Sequence, residues 1–437
     1  MNDVAQDGIR RNAFAALSGL FFFVVIIKLG DPVIIDTAGL APGSLGDAIA
    51  GVWPNDWGYW MLAPMIAGGL ALMTWKRVRT PWLVALPAAW LLWQFVAATH
   101  TVDARLTTLT LRHFSACVAL FYLGYFGLNG VRRPLFLYAG LALALCWVLR
   151  AGMEQHFGGL ADTRKYIIHT VYGDGWPTMA AQNPDFAKRI ESDRIFATFV
   201  YPNALGGGLL LLLPMSLVLV WELTAKLPLV GRLALVGVFG ACGMAELVWS
   251  GSKAGWLLAL VLGVIVMVHS GLPRRWVWSL AALIVAGGLV GFAFRFSHYF
   301  ERGATSVSAR FDYWKAAGQT IKSHPVFGTG PGTFSRPYAR LKDPKSEMAR
   351  LCHNDYLEQG SDSGVLGMIL FFWFIFWSVL QLYRYRIGKN LRKERLLGAS
   401  VLGVIGLCLH SFVEYHLYIP ALSWPLFFLL GWLLSLE

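Results

Sequence analysis

A cluster of ionisable side chains lies just ahead of one of the most apolar runs of the chain. The stretch LCHNDYLEQGSDSGVLGM, residues 351–368, contains His353, Asp355 and Glu358. Near neutral pH an imidazole accepts a proton from an alcohol, and a neighbouring carboxylate fixes its tautomer or stabilises its cation. His353 is therefore the candidate general base, with Asp355 or Glu358 as its supporting carboxylate.

A second polar group, His410, Glu414 and His416, lies close to the C-terminal end of the chain. His410 and Glu414 have an i, i+4 spacing that suits a metal ion, but no third-ligand signature accompanies them. The favoured interpretation is a structural hydrogen-bond network in which Glu414 and His416 support the site. No metal and no cofactor are predicted.

Four cations are candidates for binding an anion. Arg194 precedes IFATFVYPNALGGG, Lys253 lies in WSGSKAGW, and Arg310 lies on a predicted amphipathic helix. Arg112 lies a turn or two inside an apolar run, where burying a charge costs about 2.5 to 3.5 kcal/mol. Together the cations suit a phosphate-rich ligand, which the fork of an Arg binds bidentately.

Each cation also has a simpler explanation when it is taken alone. Lys253 can extend to the membrane interface, and Arg310 can be a solvated surface residue. Arg112 can pair with a carboxylate in a structural ion pair. The binding hypothesis therefore depends on the convergence of these cations at one membrane face.

The composition predicts that helices in a membrane position these residues. The chain has 437 residues, is 56% hydrophobic and 14% charged, and has a mean hydropathy of +0.54, which excludes an ordinary soluble globule. Its long runs are apolar at nearly every position and do not alternate between apolar and polar residues, which indicates helices and not barrel strands. We predict an all-α polytopic membrane protein with about twelve transmembrane helices, at residues 13–30, 57–75, 81–98, 108–127, 135–150, 197–221, 232–249, 254–270, 276–294, 364–383, 397–413 and 419–436.

The distribution of basic residues predicts the orientation. With twelve spans, the Lys and Arg residues of the short connections fall on one side, which should be cytoplasmic and hold both termini. The net charge of +12 is then mostly due to the basic residues that set the membrane topology, so nucleic acid is not a predicted partner. The residues that carry this prediction are Lys76, Arg77, Arg79, Arg132, Arg133, Lys226, Arg232, Arg274, Arg275, Arg384, Arg386, Lys389, Arg392, Lys393 and Arg395.

The chain is predicted to be a single integral membrane domain, residues 1–437, with two long outward segments. These are residues 151–196 and 295–363, and the second is predicted to be a periplasmic catalytic loop between helices nine and ten. It contains the amphipathic helix, with Ser308 as its N-cap, and then GTGPG at residues 328–332. GTGPG lacks the Lys and Ser/Thr of a phosphate-binding loop, so a turn is favoured.

Four motifs in the second half of the chain give it a family resemblance. In order they are DRIFATFVYPNALGG, SGSKAGWLLAL, SARFDYWKAAGQTIKSHPVFGTGPGTF and CHNDYLEQGSDSGVLGM. With these motifs the chain resembles the O-antigen ligase and polymerase superfamily of bacterial envelopes. The resemblance implies transfer of a glycan from an undecaprenyl-diphosphate donor on the periplasmic side, without a nucleotide sugar or a required metal.

The resemblance also implies roles for individual residues. His353 becomes the base for the acceptor hydroxyl, with inversion at the anomeric carbon, and Arg194 and Arg310 hold the diphosphate. Lys253 stands where relatives often have Arg in an SRS-type motif, which keeps the charge but loses the bidentate fork. Arg112 is a further supporting residue.

The predicted function is an O-antigen ligase of the bacterial inner membrane, which joins the lipid-carried glycan to lipid A-core oligosaccharide. An O-antigen or exopolysaccharide polymerase and a protein O-oligosaccharyltransferase are alternatives from the same superfamily. A non-enzymatic alternative is a polytopic lipid or glycan transporter, which predicts repeats and ionisable groups near the midplane. No repeat is visible in the sequence, and its polar groups gather at one face.

Overall fold

Each of the twelve predicted apolar segments coincides with an α-helix in the computed structural model of the protein. Among the described residues, eight helices are long and apolar enough to cross a membrane, and three further apolar helices are shorter. The all-α polytopic prediction is confirmed for the part of the chain that the structure describes, which contains no β-strand. The number of crossings stays a prediction. The described residues are 2–35, 41–72, 78, 80–168, 177, 191–301, 305–344, 346–387 and 394–436.

The helices are numbered here in chain order within those ranges. The first seven are α1 (Asn2–Lys28), α2 (Leu45–Ala50), α3 (Asn55–Leu72), α4 (Pro81–Ala98), α5 (Ala104–Tyr122), α6 (Leu135–Glu154) and α7 (Leu160–Ile167). The others are α8 (Pro202–Leu223), α9 (Leu229–Trp249), α10 (Lys253–His269), α11 (Arg274–Glu301), α12 (Thr305–Ser323), α13 (Ser335–Leu341), α14 (Asp355–Leu382), α15 (Arg395–His410) and α16 (Pro420–Ser435).

Parts of the predicted topology lie outside the described residues. They include residues 169–176 and 178–190 of the first outward segment, and residues 302–304 and 345 of the second. Several of the basic residues from which the orientation was predicted also lie outside the described residues, so the orientation stays a prediction. These are Lys76, Arg77, Arg79, Lys389, Arg392 and Lys393.

Helix α16 lies at the centre of the bundle and is buried from Pro420 to Leu434. Other helices approach each other closely where a glycine removes the side chain. A Cβ on Gly403 of α15 would lie 2.1 Å from the carbonyl oxygen of Leu211 in α8. A Cβ on Gly140 of α6 would lie 2.1 Å from a carbonyl oxygen of α1. Small residues at such crossings let membrane helices pack backbone to backbone.

Helix α14 begins nine residues before the predicted span and takes in a polar segment that was predicted to be part of a loop. The span was predicted from Gly364, whereas α14 starts at Asp355 and is interrupted at Ser363 and Gly364. Gly364 has φ 72° and ψ −177°, a conformation that only glycine adopts readily. The polar segment 355–363 is therefore a buried helical segment rather than a loop, and its carboxylates accept hydrogen bonds from neighbouring loops.

The amphipathic helix of the second outward segment is confirmed as α12, although it starts at Thr305, ahead of Ser308. Its buried face carries Tyr313, Ala316 and Ala317. These side chains pack with Phe334 and Tyr338 in a second, smaller apolar cluster outside the main core. The cluster holds α12 against the start of α14.

Replacing Gly364 with Ala should strongly destabilise the fold. A Cβ there would lie 2.1 Å from the carbonyl oxygen of Val326, in a backbone conformation unsuited to L residues, so we expect a loss of at least about 2 kcal/mol. Gly318→Ala in α12 is the matched control, since a Cβ there meets nothing within 4 Å. Thermal unfolding of the purified protein in detergent measures both, and equal midpoints for the two variants would contradict the argument.

Candidate active site

A buried carboxylate joins the residues that the sequence singled out. Glu414 lies in the loop between α15 and α16 and is 3% exposed. Its Oε1 accepts hydrogen bonds from Arg310 Nη2 and from Asn203 Nδ2. Its Oε2 lies 3.0 Å from Nδ1 of His353. One carboxylate thus contacts the candidate base and one of the candidate cations.

Asn203 extends this network to a second cation. Its Oδ1 accepts a hydrogen bond of 2.6 Å from Arg194 Nη2, while its amide nitrogen donates to Glu414. Arg194 Nε also donates to the carbonyl oxygen of Ser250, at 2.7 Å. The approach of Arg194 is possible because Gly251, at φ 61°, has no side chain to block it. Residues that are far apart in sequence therefore form one continuous chain of contacts.

Arg310 and Lys253 complete the positive side of the site. Besides its bond to Glu414, Arg310 donates to the carbonyl oxygens of Val413 and Ser306, at 3.0 and 3.1 Å. Within the described part of the chain these contacts occupy three of the five N–H donors of the guanidinium. Lys253, the first residue of α10, is near enough to Arg194 and Arg310 for their charges to act on it. Its amine lies 4.9 Å from the ring of Phe296.

The electrostatics of Glu414 favour its ionised form. Burial alone would raise the pKa of this carboxyl, but the charge of Arg310 and the contact with His353 outweigh it. The pKa of Glu414 therefore lies well below its usual range. Because an ionised carboxylate only accepts hydrogen bonds, Nδ1 of His353 carries a proton, so in a neutral imidazole the lone pair is on Nε2.

The backbone of His353 is held in a conformation that is rare for its residue type. Its φ of 54° is in the left-handed region, which costs about 1 to 2 kcal/mol for a residue with a Cβ. Two contacts hold it on either side. The Cys352 N–H donates to Glu358 Oε2 at 2.9 Å, and Asn354 Oδ1 caps α14 by accepting from the N–H groups of Tyr356 and Leu357.

The other non-glycine residues with positive φ in the described chain are Ala197 and Val200, in the loop that leads to Asn203. A β-branched residue such as Val200 at φ 61° is a clear outlier. Backbone strain of this kind persists only where the surroundings determine the conformation, and it clusters at functional sites. The strained residues thus flank the Glu414 network on both sides.

Three carboxyl groups of α14 position the loops around the site instead of contacting the imidazole. Asp355 accepts from the N–H of Leu417 at 3.0 Å, and Glu358 accepts from Cys352. Asp362 accepts from the N–H of Gly332 at 2.7 Å and from the hydroxyl of Tyr418 at 3.0 Å. The sequence predicted that Asp355 or Glu358 fixes the tautomer of His353, and the structure gives that contact to Glu414.

The GTGPG segment forms a turn, as the sequence favoured. Gly328, Gly330 and Gly332 all have positive φ, and the segment packs closely on the start of α5. The N–H of Gly332 is bonded to Asp362, and the carbonyl oxygen of Pro331 accepts from Thr107. Its backbone groups thus serve to join α5 to α14.

The remaining predicted residues have structural contacts. His416 Nε2 lies 2.8 Å from His410 Nδ1, and both rings are buried. Burial lowers the pKa of His416 well below its usual range, and repulsion from His410 adds to the effect, so His416 is neutral. Arg112 pairs with Asp56 and lies over the ring of Tyr59, which is the structural ion pair that the sequence left open.

No group of three or more His, Cys, Asp or Glu side chains in the described ranges is arranged to hold a metal ion. Sequence reasoning missed Asn203 as a link between the two arginines, and it missed the tyrosines that pack on His353. The PNALGG motif was a signal for Asn203, because an amide directly after a helix-starting Pro faces the preceding loop. No local pattern indicated the tyrosines.

Part of the chain is similar to a known protein family. Residues 238–372 match the family model described as O-antigen ligase. The similarity to the O-antigen ligase family thus covers this segment of the chain. The matched segment contains Lys253, Arg310 and His353, while Arg194, Asn203 and Glu414 lie outside it and join it through the contacts above.

A relative from this comparison carries no functional description. A Haemophilus influenzae protein described as uncharacterized is 28% identical over 188 residues, which cover 37% of this chain and 46% of that protein. The chain therefore spans about half the length of the curated relative that it matches. The apolar helices and the family match together indicate a multi-pass membrane protein.

Replacing Glu414 with Gln should destabilise the protein by about 3 kcal/mol, because Arg310 would keep a mostly buried charge without its counter-ion. The matched control is Glu154→Gln, which breaks an exposed i, i+4 pair with Arg150. That change should stay within about 0.5 kcal/mol. Thermal unfolding in detergent compares the two variants, and similar losses would show that Glu414 has no special role in stability.

The stabilisation by Glu414 should also depend on pH. Because its pKa is depressed in the folded protein, its contribution is fully present above the unfolded value of about 4.3 and is lost as the pH falls toward the depressed value. The difference in unfolding midpoint between wild type and Glu414→Gln should therefore be constant from about pH 7 to about pH 5. It should shrink in more acidic buffer, and a difference independent of pH would contradict the assignment.

Proposed function

We propose that the protein is a membrane glycosyltransferase that transfers O-antigen glycan from undecaprenyl diphosphate to lipid A-core oligosaccharide. The observation that carries the proposal is the contact chain from Arg194 through Asn203 and Glu414 to Arg310 and His353. It puts a candidate base beside cations that suit a diphosphate. The superfamily match supports the same class of reaction.

His353 acts as the general base through Nε2. Glu414 holds the proton on Nδ1 and so orients the ring, as a carboxylate does for a catalytic histidine in other enzymes. The acceptor hydroxyl gives its proton to Nε2 while its oxygen forms a bond to the anomeric carbon. A positioned base of this kind contributes about 10²- to 10⁴-fold to the rate.

The cations stabilise the leaving group. As the new bond forms, the bond between the anomeric carbon and the phosphate oxygen breaks, and its electron pair leaves with undecaprenyl diphosphate. Arg310, together with Arg194 and Lys253, neutralises the charge that develops there. Attack opposite the leaving group gives inversion, and the imidazolium then returns its proton to water.

The membrane location follows from the donor. The polyprenyl tail stays in the bilayer of the bacterial inner membrane while its diphosphate reaches the end of the bundle where His353 lies. That end is periplasmic and both termini are cytoplasmic in this proposal. The segment 295–363 is then the periplasmic catalytic loop of a single membrane domain.

The central test is reconstitution in proteoliposomes with purified lipid-linked glycan and lipid A-core acceptor. Wild type should transfer glycan, and His353→Ala should reduce the rate at least about 100-fold because the base is lost. His324→Ala is the control, since His324 is an exposed histidine of the same segment and should leave the rate unchanged. Full activity of folded His353→Ala would refute the proposed mechanism.

The acceptor is tested in the same assay. A second carrier-linked glycan and a protein with accessible hydroxyls replace lipid A-core in parallel reactions. Transfer to the first would identify a polymerase and transfer to the second a protein O-oligosaccharyltransferase. Absence of transfer from wild type to all three acceptors would refute glycosyl transfer and favour a transporter.

A further inference from the structure

Two tyrosine rings contact the imidazole of His353. The ring of Tyr313, in α12, is nearly parallel to it, with centroids 5.5 Å apart and planes inclined by 25°. The ring of Tyr415, beside Glu414, meets it edge-on at 4.6 Å and 79°. Tyr313 is 2% and Tyr415 8% exposed. Rotation of the imidazole would therefore displace a buried ring.

Tyr313 is itself held in place from its far side. Its hydroxyl donates to Glu347, and the ring of Tyr338 packs edge-on against it at 5.3 Å and 88°. The hydroxyl of Tyr338 donates to the backbone oxygen of Glu347 at 2.8 Å. The segment between α13 and α14 thus fixes the position of Tyr313, and through it the plane of His353.

The same helix supplies a cation and this aromatic ring. Arg310 and Tyr313 are three residues apart on α12, so they lie on adjoining parts of one helix face. Arg310 shares Glu414 with His353. Glu414 therefore divides its negative charge between Arg310 and a protonated His353. The face of a neutral aromatic ring attracts a cation without adding a charge.

We propose that Tyr313 is a positioning residue for the transfer reaction, which keeps Nε2 of His353 directed at the acceptor hydroxyl and stabilises the imidazolium formed when that hydroxyl gives up its proton. The inference rests on the proposed function. The hydrogen bond from the phenol to Glu347 strengthens the effect, because it increases the electron density of the ring. The proton passes from the acceptor to Nε2 and then to water, so Tyr313 neither gains nor loses an atom.

The test measures kcat and KM in proteoliposomes for wild type, Tyr313→Phe and Tyr313→Leu. Phe keeps the ring and should stay within about threefold of the wild-type kcat, whereas Leu should lower kcat about tenfold. The KM for donor and acceptor should stay within about twofold, because the contact acts on the transition state. Phe311→Leu is the matched control, since it removes an exposed ring of the same helix and should have wild-type kinetics.

A graded series separates this role from simple packing. Phe carrying one, two or three ring fluorines at position 313 keeps the shape of the ring but weakens its negative face. The kcat should fall stepwise to the level of Tyr313→Leu. Because the fluorinated rings differ little in size, the series remains decisive if the Leu variant does not fold.

The outcomes are distinguishable from failure of the proposed function. If wild type transfers no glycan, the function is refuted. If wild type is active and His353→Ala is not, but kcat is unchanged across the fluorinated series and in folded Tyr313→Leu, the inference about Tyr313 alone is overturned. A rise in KM with constant kcat would also overturn it, because Tyr313 would then bind substrate.

Discussion

The carboxylate of Glu414 joins the candidate base to the candidate cations. Arg310 and His353 contact it directly, and Arg194 reaches it through Asn203. A buried carboxylate is stable only when it is paired and hydrogen-bonded, so this single group determines where its neighbours lie.

The start of α14 provides the rigid support for this arrangement. Asp355, Glu358 and Asp362 each bind the backbone of a different loop, and all three are buried. The left-handed backbone of His353 is kept because Glu358 holds the residue before it. Strain at a candidate base is thus balanced by hydrogen bonds made in the first turns of a helix. The kink at Gly364 then lets the same chain continue as an apolar membrane helix.

The sequence predicted the helices well, because each depends on a continuous apolar run that is visible locally. It also predicted that Arg194, Lys253, Arg310 and His353 belong together, since their shared membrane face follows from helix order. It predicted the wrong partner for His353. Asp355 is two residues away along the chain, whereas Glu414 is 61 residues away and reaches the imidazole through tertiary packing. For the same reason α14 was predicted to start too late, because the loops that satisfy its polar first turns come from distant segments.

The position of Glu414 in the chain has a consequence for biogenesis. The ribosome makes Arg194, Arg310 and His353 well before it makes Glu414, so these residues are synthesised before the carboxylate that joins them. Until the loop after α15 is in place, the Glu414 network is incomplete. Insertion of the last helix hairpin therefore completes the site as well as the fold.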